Sequence, residues 1–261
     1  MNYLEALRLQ LEWGADEALL EAPQNRFLAR PAPTPPAVVA EKLVRAPARS
    51  LAAALPPGPA AAERIAAGCK SLEELRAALE DFTGCALKDT ATQLVFADGA
   101  AATNLILIGE APGGDEDRIG RPFVGLAGQL LDKMLASIGL DRTKLRIVNV
   151  VPWRPPGNRA PTDSEIAVCL PFLRRHVELV APKCAVLLGA VAAKALLPGA
   201  GAAGIRRQRG QWKTLEWSGL AAPIACLPTY HPAYLLRTPA AKRDSWHDLI
   251  ALRQWLNDGE I

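Results

Sequence analysis

NLILIGEAPGGDEDRIGRPF runs from Asn104 to Phe123, and its two halves decide the fold. Leu105 to Ile108 are apolar without a break, as expected of a strand buried on both faces of a sheet. The chain then turns abruptly to glycines, prolines and four acids, Glu110, Asp115, Glu116 and Asp117, before closing on Arg121-Pro122-Phe123. Three further runs resemble the first: LRIVNVV (145–151), KCAVLLG (183–189) and PIACLP (223–228). Helical patterns separate them, GLAGQLLDKMLASIG (125–139), TDSEIAVCLPFLRRHVELV (162–180) and AVAAKALL (190–197), and AAKRDSWHDLIALRQWL (240–256) follows the last. Thr162 with Glu165 predicts a capping box at the second of these, and Pro171 should kink or split it. Alternation of this kind predicts an α/β fold, a parallel sheet with helices on both faces.

Upstream, SLEELRAALEDF (71–82) predicts a helix opened by a capping box of Ser71 and Glu74. Residues 1–29 read as a helical segment, with a short hairpin over 3–22. Residues 30–63 read as a Pro/Ala-rich linker, and 64–261 as the main domain. The 261 residues carry a net charge of +3, too mild for a general nucleic-acid-binding signature, so any basic footprint must be local. Five cysteines without a CxxC pair suit a reducing compartment. No run of apolar residues is long enough to span a bilayer. The expectation is a soluble, cytoplasmic, monomeric protein.

In open parallel sheets ligands bind beyond the carboxyl ends of the strands. Glu110 follows the first strand, Asn149 ends the second before PWRPPGNR (152–159), and His231 follows the fourth in TYHPAYLLR (229–237). An amide sets a donor beside an acceptor and complements the edge of a pyrimidine. Phe123 and Tyr230 offer flat surfaces to a planar ligand. An imidazole can bond an oxygen that becomes negative as a bond breaks, and a carboxylate can position water or favour a cationic sugar. Together these outline an N-glycosidase. Arg206, Arg207 and Arg209 in GIRRQRGQW, and Tyr234 and Arg237 in the His231 loop, are candidate DNA contacts, joined by Arg154, Arg159, Lys242 and Arg243. The plainer alternatives are a helix-dipole partner for Glu110, a turn-forming Asn149 and an ordinary solvated arginine run. Among the acids after Glu110, only Glu116 is kept, in a supporting role.

GEAPGGDEDRIGRPFVGLAGQLLDKML, IVNVVPWRPPGNRAPTDSEIAVC, LLGAVAAKALL, RGQW and PTYHPAYLLR occur in this order and together resemble family 4 uracil-DNA glycosylases over residues 85–256. The resemblance implies a three-layer α/β/α fold around a four-stranded parallel sheet, and hydrolysis of the bond between uracil and deoxyribose in DNA. It leaves other deaminated bases open. It implies that Glu110 positions water and stabilises the sugar cation, that Phe123 stacks on the base, that Asn149 reads uracil and that His231 bonds its oxygen. Gly109, Ala111, Pro112 and Gly113 belong to the same substrate-binding motif. The family usually holds a [4Fe–4S] cluster on four cysteines. Here two of those positions are Phe82 and Trp153, and only Cys85 and Cys169 remain. The expectation is therefore no cofactor and no metal, a rescue by Cys69 and His176 being the alternative. Two other functions stay in play: a non-catalytic or covalently trapping binder of damaged DNA on the same fold, and a hydrolase of free nucleotides. The latter lacks a Walker-type loop.

Overall fold

The computed structural model describes residues 58–197 and 199–260. The expected hairpin over 3–22 and the linker up to residue 57 lie outside the described residues. Helix α1 (Pro59–Gly68) starts on a proline whose missing N–H costs nothing at a helix start, so the last five residues of the expected linker are helical. In helix α2 (Leu72–Asp81) Ser71 Oγ accepts from the Glu74 N–H at 3.2 Å. The reciprocal bond goes one residue further back than a capping box requires: Glu74 Oε2 accepts from the Lys70 N–H at 2.6 Å.

Six strands form one sheet: β1 (Asp98–Gly99), β2 (Leu105–Gly109), β3 (Arg146–Asn149), β4 (Cys184–Leu188), β5 (Lys213–Leu215) and β6 (Ile224–Thr229), in the order β1-β3-β2-β4-β6-β5. The four central strands are parallel and coincide with the four apolar runs. Two short antiparallel strands extend the edges, β1 against β3 and β5 against β6.

Side chains alternate between two cores, as a pleated strand demands. Ile106, Ile108, Val148, Ala185 and Leu187 face one core, which also holds Leu75, Phe172 and Val177. Leu105, Leu107, Ile147, Val186 and Leu188 face the other, with Leu131, Leu135, Leu249 and Leu252. The first face is covered by α1, α2, α6 (Asp163–Val180) and α7 (Ala190–Leu196); the second by α5 (Leu126–Ala136) and α10 (Lys242–Trp255). This is the three-layer α/β/α arrangement. Helix α6 carries the expected capping box, Thr162 Oγ1 accepting from Glu165 N and the Glu165 carboxylate from Thr162 N. Pro171 does not split it. The bond Pro171 cannot donate belongs to the carbonyl of Ala167, and Ala167 is exposed, so water can replace it.

The remaining elements are short: α3 (Leu87–Thr90), α4 (Gly114–Ile119), α8 (Ala200–Gln208) and α9 (Pro232–Arg237). β3 and β4 lie on opposite sides of β2, so the connection reverses direction there and opens a crevice at the carboxyl end of β2. β6 lies one strand further out, beyond β4. The turn that follows β4 must therefore be thin if His231 is to reach the crevice. Gly189 makes it so: its φ is 94°, and a Cβ there would sit 3.0 Å from the Cβ of His231.

Candidate active site

A cleft of about 420 Å³ lies at this crevice. Glu110, Phe123, Asn149 and His231 line it together, with Ala111, Pro112 and Gly113 on one wall and Tyr234 and Arg237 on another. Gly109 lies beneath, paired in register with Asn149 across β2 and β3. Its lack of a side chain is what admits its neighbours. A Cβ on Gly109 would come within 2.4 Å of Asn149 Oδ1 and 2.6 Å of the Phe123 ring.

Asn149 is buried, and its Oδ1 has no hydrogen-bond partner among the described residues. A buried amide oxygen left unpaired costs roughly 1–3 kcal/mol, a cost that a ligand N–H removes. Phe123 is 5% exposed and takes a left-handed backbone conformation, φ 55°. For a residue with a Cβ this costs about 1–2 kcal/mol, so its surroundings must hold it. The Phe123 and His231 rings stand 5.5 Å apart at 31°.

The Nδ1 of His231 accepts from the main-chain N–H of Ala233 at 3.2 Å. Its proton in the neutral ring therefore sits on Nε2. Burial, helped by the positive Arg237 and opposed by Glu116, pushes the imidazole pKa down to about 4. At neutral pH the ring is an uncharged donor. The Glu110 carboxyl is moved the other way, above its ordinary value, because burial outweighs the pull of Arg237.

The four acids of the opening loop separate into distinct jobs. Asp115 pairs with Arg118 on the surface at 3.2 Å. Asp117 is buried and accepts from Thr92 N, Thr92 Oγ1 and Gln93 N, fastening this loop to the segment before β1. Glu116 lines the cleft but spends its oxygens on main-chain N–H groups of Gly113, Val124 and Gly125, at 3.1, 2.9 and 2.8 Å. Glu110 alone among them faces the cleft with no hydrogen bond to its carboxylate among the described residues.

The basic residues divide as well. Arg206 and Arg207 are exposed on the last turn of α8, which replaces the expected loop. Arg209 is not a free cation for phosphate. Its guanidinium pairs with the buried carboxylate of Asp248 at 2.5 Å, bonds the Asp244 carbonyl and stands 5.5 Å over the Tyr230 ring. Tyr230 is likewise buried, 4.9 Å from Tyr234, and the cleft takes Tyr234 instead. Arg159 reaches the rim paired to both oxygens of Glu165, at 2.9 and 2.7 Å, which holds the Glu165 carboxyl down at about 2. Sequence reasoning missed Ala127, Pro155, Asn158 and Ala233 of the lining. Asn158 Oδ1 accepts from Arg154 Nε at 2.8 Å. Its only sequence signal is its place in the Pro-Gly-Asn turn.

The residues at the cluster positions do not fit an iron–sulfur cluster. Cys85 and Cys169 stand 3.8 Å apart, and the Cys169 thiol donates to Cys85, lowering the Cys85 pKa and raising that of Cys169. Trp153 is 2% exposed in the same core, where Phe82 meets Phe172 at 5.0 Å. Two thiols at these positions are two ligands short of the four that a cubane takes, and Phe82 and Trp153 offer no donor in their place. Cys69 donates to the Ile65 carbonyl, and His176 accepts from Arg146 Nε at 3.1 Å. Among the described residues, no three His, Cys, Asp or Glu side chains gather at metal-binding separation.

The family model described as Uracil DNA glycosylase superfamily matches residues 96–252, which include all four cleft residues. The chain belongs to that superfamily. Within it, the chain is similar to the type-4 uracil-DNA glycosylase of Sulfurisphaera tokodaii, at 37% identity over 70% of this chain and 84% of the relative. It is also similar to the type-4 enzymes of Thermotoga maritima, 41% over 59% and 78%, and Pyrobaculum aerophilum, 35% over 68% and 91%. No described helix is long and apolar enough to cross a membrane.

Proposed function

We infer that the protein is a DNA repair glycosylase that removes uracil from DNA by hydrolysis and leaves an abasic site. The observation that carries this reading is the unpartnered Oδ1 of Asn149, inside a cleft that it shares with the neutral imidazole of His231 and the free carboxylate of Glu110. The relatives' names and the family match support it.

The mechanism follows from the charges. Taking the base out of the duplex costs a few kcal/mol, recovered by contacts in the cleft. The uracil ring lies on Phe123. Asn149 Oδ1 accepts from the ring N–H, and its amide N–H group donates to the adjacent carbonyl. As the bond from C1′ to the base nitrogen breaks, its electron pair moves into the ring and onto the carbonyl oxygen facing His231 Nε2–H. An uncharged donor suits this step, because it gives no proton to the base before the bond opens. The sugar is left cationic, and the ionised Glu110 stabilises it and orients the water that attacks C1′. The water's oxygen ends on C1′, and its released proton neutralises the departing uracil anion. Removing one such preorganised contact costs roughly 10²–10³ in rate.

Arg237 at the rim, with Arg206 and Arg207, meets phosphate. We take the protein to act as a monomer in the cytoplasm.

The test is release of free uracil from an oligonucleotide carrying one uracil, with Asn149→Ala and His231→Ala alongside. Release by the wild type and severe loss in both variants is expected. A gel shift without release would instead support the damage-binding alternative. Release from mononucleotides but not from DNA would support a nucleotide hydrolase.

A further inference from the structure

Behind the cleft, outside its lining, one guanidinium has every N–H committed. Arg142 follows the Asp141 cap of a short 3₁₀ turn and is 20% exposed. Its Nε donates to Asp132 Oδ1 on α5 at 2.8 Å. Nη1 donates to Asp98 Oδ2 on β1 at 2.6 Å and to the Pro122 carbonyl at 3.1 Å. Nη2 donates to the Phe123 carbonyl and to Asp132 Oδ2 at 3.3 Å. Five donors thus span an edge strand, a helix and two consecutive carbonyls.

Those two carbonyls belong to the turn in which Phe123 adopts φ 55°. Helix α5 presses on the same backbone. A Cβ on Gly128 would lie 1.8 Å from the Phe123 oxygen, so only glycine admits the turn there. Just downstream, Glu116 grips Val124 and Gly125. The Phe123 backbone is therefore fixed at three points, and Arg142 is the one that holds its carbonyl. The edge strand gains a reason as well: β1 brings Asp98 beneath the guanidinium, where Arg121 also pairs with it at 3.0 Å.

We propose that Arg142 is a positioning residue for the captured base, acting through the two carbonyl bonds that hold Phe123 in its left-handed turn at the cleft floor. The proposal rests on the reading that Phe123 stacks on the base. A lysine keeps the charge but not the planar five-donor fork, so it cannot reach both carbonyls and both carboxylates together.

The experiment is a double-mutant cycle on uracil release, comparing wild type, Arg142→Lys, Phe123→Ala and the double variant under single turnover. Arg142→Lys is expected to lower the rate by roughly 10- to 100-fold, the effect of a misplaced substrate contact. In the Phe123→Ala background the same change should cost less than about threefold, since its target is gone. Equal losses in both backgrounds, or a wild-type rate in folded Arg142→Lys, would overturn the proposal. Should Arg142→Lys not fold, Asp132→Ala, at a half-exposed position, withdraws acceptors from two of the five donors and is read in the same cycle. A 4-fluorophenylalanine at position 123 gives a second readout without activity. Its ¹⁹F resonance should shift or broaden on the Arg142 or Asp132 change, and an unaltered resonance would also overturn the proposal. If the wild type releases no uracil, the functional reading fails, while the ¹⁹F result still decides whether Arg142 sets Phe123.

Discussion

Asn149 Oδ1 occupies the space that a side chain on Gly109 would take: a Cβ built there lies 2.4 Å from it. The two residues are register partners on neighbouring parallel strands, so the Asn149 amide is admitted by what its partner lacks. Gly109→Ala should push the Asn149 amide and the Phe123 ring out of place together. The expected result is a folded protein, destabilised by about 1–3 kcal/mol through overpacking, with uracil release slowed on the order of 100-fold. A folded variant with the wild-type single-turnover rate would show that neither side chain needs its present position.

The pH profile of uracil release should be set on the acid side by Glu110. Its carboxyl must be ionised, and its pKa is raised by burial, so activity falls as pH drops through a value above the ordinary 4.5. His231, pushed down to about 4, adds no limb near neutrality. A rate loss with an apparent pKa near 6.5 that disappears in His231→Gln would contradict the neutral-imidazole assignment.

His176 carries a stability prediction of definite sign. Burial, with Arg146 adding to it, holds its pKa down at about 3, against 6.5 for the free side chain. Between those values the unfolded chain binds the extra proton, so stability is lost as pH falls. From pH 7 to 5 the loss is on the order of 2 kcal/mol. His176→Gln still offers Arg146 an oxygen but cannot titrate. Urea denaturation at both pH values should find a flatter dependence in that variant.

The three arginines near α8 should behave differently. Arg206→Ala with Arg207→Ala should leave urea stability unchanged, weaken DNA binding and reduce its salt slope by about one to two. Arg209→Ala strands the buried Asp248, which also accepts from Thr229 Oγ1 at 2.6 Å. It should cost about 3–5 kcal/mol of stability. Equal effects of all three on the salt slope would return Arg209 to the DNA-facing set.

Iron chelation should change neither melting temperature nor activity, whereas Trp153→Ala should cost about 3–5 kcal/mol through the cavity it opens. Iron co-purifying with the protein, together with unfolding on chelation, would refute the aromatic filling of that core.

The central strands and three of the residues that line the cleft were legible because both signals are local. An uninterrupted apolar run identifies a doubly covered strand, and Glu110, Asn149 and His231 sit where such strands end. The edge strands were not legible, since Asp98–Gly99 and Lys213–Leu215 carry no apolar run and owe their form to a neighbour. Arg209 was misjudged because charge in a sequence says nothing of its partner, and Asp248 lies 39 residues away on another helix. Tyr230 and Tyr234 look alike in sequence, yet the sheet end turns one into the core and the helix start turns the other into the cleft. Arg142 gave no signal at all, because its targets are carbonyls, which every residue has.

The tautomer of His231 is set by the main-chain amide of residue 233 rather than by a neighbouring side chain. Mutational drift around the imidazole therefore cannot erase that constraint. As far as proton placement is concerned, position 233 is free to vary among nineteen amino acids, and only proline, with no amide hydrogen to give, would let the ring turn over.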